Sequence, residues 1–465
     1  MERVVIQALR RALGEAQVDT SNAARDARRH DYWMVSHLRD HIGLRVPRPG
    51  CVVRPTCVED VQATLRIARQ AGVPVVPFGL GSGVVGGVIA SPTAIVLDMG
   101  SMNGTRSIDA VNLLAAFDAG KRGTEAEEAV AAQGLTIGHW PQSIDVSTVG
   151  GWVATRACGQ FSTAYGAVED VVQAIEAVLP NGEKVVLGRG PRASAGPDLR
   201  HLMMGSEGTL GVITGVTFSL RRAPQVRTVS AFEATDMRSG FDFQREVVQS
   251  GWRPPVMRQY DPRESRRLDA RARACLILLV HEGPAGLVVA ERAAIADLAG
   301  AAGIAEAPGD IVDRWLETRN HVPGWDQILQ RGIVADTVEI SGAWDQIAAI
   351  YDDATASLAA VDGYLAGSAH SSHVYRSGLN LYFTFAVQMA EPDAMEGIYF
   401  DCWRRIMEAT ARHGGSLAHH HGVGRVRREW LEMELGAEGL ALLRQVKQAI
   451  DPTGMMNPGV LLANA

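Results

Sequence analysis

The stretch Gly79-Leu80-Gly81-Ser82-Gly83-Val84-Val85-Gly86-Gly87, reached from the apolar run Val73-Pro74-Val75-Val76-Pro77-Phe78, decides the fold. It contains a literal G-x-G-x-x-G at Gly81, Gly83 and Gly86. A dinucleotide site of the Rossmann kind needs a helix to open straight after such a loop, so that the helix N-terminus meets the pyrophosphate. Here the chain continues Val88-Ile89-Ala90-Ser91-Pro92 and then Thr93–Met99, which reads as a strand. No acidic residue follows at the required distance, so the Rossmann reading fails. What remains is a run of glycine N–H groups with no side chains in front of them. Such a run forms an anion-binding nest as readily as a tight turn.

Two further small-residue clusters lie downstream. Pro141-Gln142-Ser143-Ile144-Asp145-Val146-Ser147-Thr148-Val149-Gly150-Gly151-Trp152 continues through Ala154-Thr155. It offers hydroxyls, free N–H groups and a predicted helix start at Ser147-Thr148. The third cluster is Met204-Gly205-Ser206-Glu207-Gly208-Thr209-Leu210-Gly211-Val212-Ile213-Thr214. Three clusters beside strands predict a large ligand threaded through the domain interior.

Around them, strand and helix patterns interleave. Thr56 and Glu59 read as a capping box before a helix that stops at Gly72. Leu113–Gly120 reads as a strand, Thr124–Gly134 as a helix, and Gly211–Leu220 as a β-branched strand. We expect an α+β protein with a helical arm over residues 1–45 and a ligand domain over 46–222. A second α+β domain over 223–405 and a closing segment over 406–465 complete the division.

The chain has 465 residues, 46% hydrophobic and 21% charged, with a net charge of −7. This is a globular composition without a basic block, which argues against nucleic acid as a partner. Five cysteines (Cys51, Cys57, Cys158, Cys275, Cys402) lack zinc-type spacing. With no leader-like start and no long apolar run, they predict a cytoplasmic protein without a membrane span.

Two histidine-rich stretches carry the candidate chemistry: residues 367–382, with His370, His373, Tyr375 and Tyr382, and His419-His420-His421-Gly422-Val423-Gly424. His370 and His373 at one-turn helical spacing, with His420, first suggest a metal triad. Tyr382 inside Leu379–Val387, read from the strand alone, is more often a core residue than a catalyst.

The three small-residue clusters, in this order and with the tail from the histidine triplet to Asp451-Pro452-Thr453-Gly454 and Asn457-Pro458-Gly459, resemble FAD-linked oxidases of the vanillyl-alcohol oxidase or PCMH type. Within that superfamily the stretches 147–159, 190–214 and 416–431 are most similar to alkyldihydroxyacetonephosphate synthase. The resemblance implies a two-part FAD-binding domain, an α+β substrate cap and a C-terminal segment closing the flavin site. It places Pro77, Gly79, Leu80, Gly81, Ser82, Gly83 and Val84 around the FAD pyrophosphate. Pro141, Ser143, Ser147, Thr148, Gly150 and Gly151 continue that contact, and Ala154 and Thr155 lie by the flavin ring. Glu207, Gly208, Gly211 and Ile213 lie toward the adenine end. With no histidine in the pyrophosphate loop, FAD is expected to be non-covalent.

The resemblance also assigns Tyr382 and His419, His420 and His421 to proton transfer, with the imidazoles titrating near neutral pH. Arg258 is assigned to an anionic substrate group, Glu339 to orienting an Arg or His, and His370 to the substrate pocket. The 2-hydroxy-acid dehydrogenases hold a divalent ion with two His and a Glu. Tyr375, Tyr382 and His420 occupy those positions here, so no metal is expected. The implied activity is oxidation of a small hydroxylated substrate (hydroxy acid, alcohol or phenol), with oxygen or another electron acceptor. The alternative is a synthase-like alkyl transfer without net redox change. His370 stands where the synthase has an arginine, which weakens a phosphate pocket. Relatives of this type are often dimers, so a homodimer is an expectation.

Overall fold

The computed structural model describes residues 3–322, 324–388 and 391–463. The first domain holds two main sheets and a two-stranded pair, Leu135–Thr136 with Arg221–Arg222. A four-stranded sheet has the order Val18–Asp19, Cys51–Val53, Ile95–Asp98, Val75–Phe78, its last three strands parallel. An antiparallel five-stranded sheet follows the order Thr105–Asp109, Leu114–Asp118, Val212–Ser219, Val172–Val178, Lys184–Leu187. The glycine loop leaves the carboxyl end of Val75–Phe78, at the seam between these sheets.

Helix Val58–Ala71 buries Val61, Thr64, Leu65 and Ala68, one stripe at helical spacing, and ends at Gly72 with φ 64°. Its start differs from expectation. The Thr56 N–H and Oγ1 both bond the Asp60 carboxylate, at 2.8 Å each, and Cys57 is the capping position. Asp60 reaches back where Glu59 was expected to. The described part of the N-terminal arm, residues 3–45, packs on the first domain. Val18–Asp19 pairs with Val52–Val53, and helix Arg3–Leu13 packs on Val58–Ala71.

The second domain is one antiparallel eight-stranded sheet. Its order is Ala305–Ala307, Val226–Ala234, Cys275–Gly283, Val256–Tyr260, Tyr364–Ser371, Gly378–Gln388, Ile333–Ala343, with Val374–Tyr375 pairing beside Gly378–Gln388. Strict alternation decides what this sheet does. Leu381, Phe383 and Phe385 are fully buried against helices Ile347–Ala359 and Pro392–Arg412. Each contributes ~1.5–3 kcal/mol by burial. Tyr382, Thr384 and Ala386 therefore face the other way, toward the first domain. The core reading of Tyr382 fails on this parity.

Residues 416–461 return to the first domain. The Arg425 N–H donates to Val85 O at 2.8 Å, and Val75 bridges to Met456. No described helix is long and apolar enough to cross a membrane.

Candidate active site

A cavity of ≈1150 Å³ lies between the two domains. One wall is backbone. Each residue assigned above to FAD, in the segments 77–84, 141–155 and 207–213, lines it. Two glycines show why side chains are absent here. A Cβ on Gly79 would sit 2.6 Å from Thr148 Oγ1, and one on Gly150 would sit 2.7 Å from the Ala119 Cβ. Thr148 caps helix Val149–Thr155, its Oγ1 accepting the Gly151 N–H at 3.2 Å. Ser206 Oγ and Tyr32 OH line the cavity, buried and without a protein partner.

Glu207 does something the sequence did not show. Its two carboxylate oxygens accept the N–H groups of Val423 (2.7 Å) and Gly424 (2.9 Å). Burial pushes the Glu207 carboxyl up to about 7. The residue expected at the adenine end is thus the clasp on the histidine loop. Gly424 fits there because a Cβ would lie 2.2 Å from Val85 O.

The opposite wall carries ionisable side chains. In register, Tyr260 lies across from His370 and His370 across from Tyr382, so all three share the cavity face. Tyr382 OH is in hydrogen-bond contact with His420 Nε2 and 3.4 Å from His421 Nε2. Burial raises the Tyr382 phenol above its ordinary range. His420 and His421 line the cavity; His419 and Glu339 do not. Glu339 is fully buried, and its Oε1 accepts the N–H groups of His419 (3.3 Å), His420 (3.0 Å) and His421 (2.7 Å). It also pairs with the buried Arg427. Glu339 Oε2 lies 3.6 Å from His421 Nδ1, so Glu339 sits against an Arg and a His as well as holding the loop backbone.

The expectation that the imidazoles titrate near neutral pH is overturned. Burial, then neighbouring charge, lowers His419 to about 3 and His420 well below the ordinary value, and burial holds His421 at about 4. All three are neutral at pH 7. The expected helical turn at His370 and His373 is also absent: His370 ends strand Tyr364–Ser371, and its Nδ1 bonds Glu264 at 2.8 Å. The imidazoles that do converge are His373, His419 and His420, with one nitrogen of each within 4.8 Å of the others. Both ring nitrogens of His419 and of His420 already have hydrogen-bond partners.

Two arginines that are not exposed, Arg258 and Arg319, face this cavity without a carboxylate partner; the exposed Arg263 also lines it, its guanidinium donating to Leu365 O at 3.3 Å. Arg258 donates Nε–H to Tyr260 OH at 3.0 Å and lies over Trp315, 5.1 Å from its centroid. Arg319 donates to Gln160 Oε1 at 2.6 Å and lies over Phe161 and Trp140. Burial, helped by the nearby Arg227 charge, lowers the Arg319 guanidinium to about 10. Sequence reasoning missed Arg319, Gln160 and Trp315, which no local motif marks.

Residues 49–188 match the FAD binding domain family, and residues 223–461 match the C-terminal domain of FAD linked oxidases. The chain belongs to the FAD-linked oxidases. It is 33% identical over 441 residues to the uncharacterized FAD-linked oxidoreductase YgcU of Escherichia coli (strain K12), across 90% of this chain and 89% of that one. Alkyldihydroxyacetonephosphate synthase of Dictyostelium discoideum is 28% identical, across 91% of this chain and 76% of its own. D-lactate dehydrogenase of Archaeoglobus fulgidus is 30% identical, across 88% and 90%. A solved alkyldihydroxyacetonephosphate synthase superposes with a TM-score of 0.82 at 26% identity, covering 98% of this chain and 86% of that one.

As an FAD-linked oxidase this chain is an oxidoreductase, and FAD is its cofactor. The cavity fits that cofactor. It is wide enough for FAD and a small substrate together. Its glycine wall has no room for side chains, and the orphan Ser206 and Tyr32 hydroxyls point to a polar occupant.

Proposed function

We propose that the protein oxidises a small hydroxylated substrate bearing an anionic group, with 2-hydroxy acids the leading class. The observation that carries this reading is the Tyr382–His420 contact on the cavity face opposite the glycine wall. FAD, when bound there, supplies the hydride acceptor. Tyr382 OH takes the substrate's hydroxyl proton on its oxygen while handing its own proton to His420 Nε2. Neutral His420 can accept it, because burial keeps its second lone pair unprotonated at pH 7. Arg258 and Arg319, unpaired with carboxylates, hold the anionic group, and their stacking on Trp315, Trp140 and Phe161 fixes both planes.

His370 supports oxidation over synthase-like alkyl transfer. It stands paired with Glu264, so this position adds no free positive charge for a phosphate. That Glu264 carboxyl is raised by burial, but the His370 and Arg267 charges outweigh this and hold it at about 2. FAD is held without a covalent link, and neither a metal nor a second protein is required for the half-reaction. Oxygen or another acceptor then takes the electrons.

The test is anaerobic bleaching of the flavin band with glycolate, D-lactate, 2-hydroxyglutarate, neutral alcohols and phenols. Bleaching by hydroxy acids alone is expected, unchanged by chelator, with free FAD released on acid denaturation. Turnover of acyl-dihydroxyacetone phosphate without bleaching establishes the transferase instead. Colour retained on the precipitated chain refutes the non-covalent cofactor.

A further inference from the structure

Beyond Tyr382 and His420, the hydrogen bonds continue in single file to the surface. His420 Nδ1 lies 2.6 Å from His419 Nδ1. His419 Nε2 lies 2.7 Å from Tyr375 OH. Tyr375 ends the short strand Val374–Tyr375 and keeps 37% of its surface exposed; its OH also lies 3.9 Å from Cys158 Sγ. His373 backs the file, its ring stacked on His419 at 5.0 Å and its Nδ1 held by Ser162 Oγ at 2.7 Å.

We propose that Tyr382, His420, His419 and Tyr375 form a proton wire between the cavity and solvent, with Tyr375 the exit residue. The proposal rests on the oxidase reading for the proton's origin, and on the geometry alone for its route. Two facing Nδ1 atoms at 2.6 Å share one hydrogen, so one ring donates and the other accepts. That condition sets every other link. In one sense Tyr382 donates to His420 Nε2, His420 Nδ1–H to His419 Nδ1, His419 Nε2–H to Tyr375 oxygen, and the Tyr375 hydroxyl points outward. In the other sense every hydrogen is reversed. Both senses satisfy each donor and acceptor with both rings neutral.

A substrate proton arriving on Tyr382 oxygen converts the first sense into the second. The Tyr382 hydrogen passes to His420 Nε2, the His420 Nδ1 hydrogen to His419 Nδ1, and the His419 Nε2 hydrogen to Tyr375 oxygen. The former Tyr375 hydrogen leaves to water. One proton enters, one leaves, and no member ends charged. A single buried base would instead stay charged in a low-dielectric site.

The test needs no substrate. In the FAD-loaded protein with 15N-labelled histidine, exchange of the His419 and His420 ring N–H hydrogens with water is measured by saturation transfer. The signals are assigned by their loss in His419→Gln and His420→Gln. The expected result is that Tyr375→Phe slows this exchange on the order of tenfold or more. FAD content and melting temperature stay at wild-type values, and the N–H signals of His281, which is buried between Glu291 and Ser230, do not change. A merely structural role for Tyr375 predicts the opposite, because deleting a hydrogen-bond partner of His419 loosens the site and speeds exchange. Equal or faster exchange in Tyr375→Phe overturns the wire, as does signal loss to fast exchange in both proteins. So does a doubly protonated imidazole at either position at pH 7. Signals visible only in Tyr375→Phe support it. If no hydroxylated compound bleaches the flavin, the oxidase reading fails while this exchange result stands.

Discussion

The two walls of the cavity are built on opposite principles. The cofactor wall is backbone kept bare by glycine, drawn from three segments of the first domain, 77–84, 141–155 and 207–213. The substrate wall is side chains held by pairing across the fold, such as Tyr382 with His420 and Arg319 with Gln160. A bare wall recognises what every family member shares. A wall of side chains can be retuned one residue at a time.

Substitutions should therefore split into those that stop chemistry with FAD still bound and those that dismantle the support. The largest expected effect is kinetic. Tyr382→Phe should slow anaerobic flavin reduction by roughly 10²–10⁴-fold. Its stability should change by about 1 kcal/mol or less, since the ring stays in place. Stopped-flow rates equal to wild type would remove Tyr382 from the mechanism.

Next comes Glu339→Gln, which keeps an acceptor for the three loop N–H groups but leaves buried Arg427 without its anion. Breaking a buried pair in this way should cost ~3–5 kcal/mol in urea unfolding. A loss below about 1 kcal/mol would mean that water reaches Arg427 and that the loop is less enclosed than described.

Arg319→Met sharpens the comparison at the substrate end. It should raise KM for a bleaching hydroxy acid by roughly 10- to 100-fold, equivalent to the ~1.5–3 kcal/mol of a hydrogen bond to a charged group. FAD content should not change. An unaltered KM would leave Arg258 as the sole anion site.

The smallest effect is on pH. A histidine held below its ordinary value takes its proton first in the unfolded chain. Its contribution to stability is therefore complete above about pH 6.5 and is lost as pH falls toward the folded value. Glu207 at about 7 and Asp336 at about 6, both raised by burial, act with the opposite sign, so the comparison must be by difference. Between pH 7 and pH 5, wild type should lose about 2–4 °C more in Tm than His420→Asn. Identical losses in calorimetry would show His420 to be open to solvent.

The cofactor wall was legible because its signal is local: glycine and hydroxyl clusters after strands, with no helix where a Rossmann site needs one. The side of the sheet that Tyr382 occupies was written in the alternation Leu381, Phe383, Phe385, but a strand of that composition does not say which face meets a ligand. Arg319 lay outside any motif, since its meaning comes from Gln160 and the rings of Trp140 and Phe161, all remote in the chain. The depressed histidines were misread because HHHG looks like an exposed loop until Glu339 and Glu207 draw its backbone inward. Thr56 with Asp60 in place of Glu59 is a milder case, where two acidic neighbours compete and only the helix phase selects one.

The clasp on the histidine loop also orders events in time. Glu207 waits for residues 423–424, and the Asn457 carboxamide bonds Gly87 O (2.8 Å) and Glu207 O (2.6 Å). A ribosome delivers these partners more than two hundred residues after Glu207 has emerged. The glycine wall is thus fastened last, by the part of the chain made last. A chain that stops short of Asn457 leaves both carbonyls without this donor, and the expected outcome is a lower FAD content, read as loss of yellow colour.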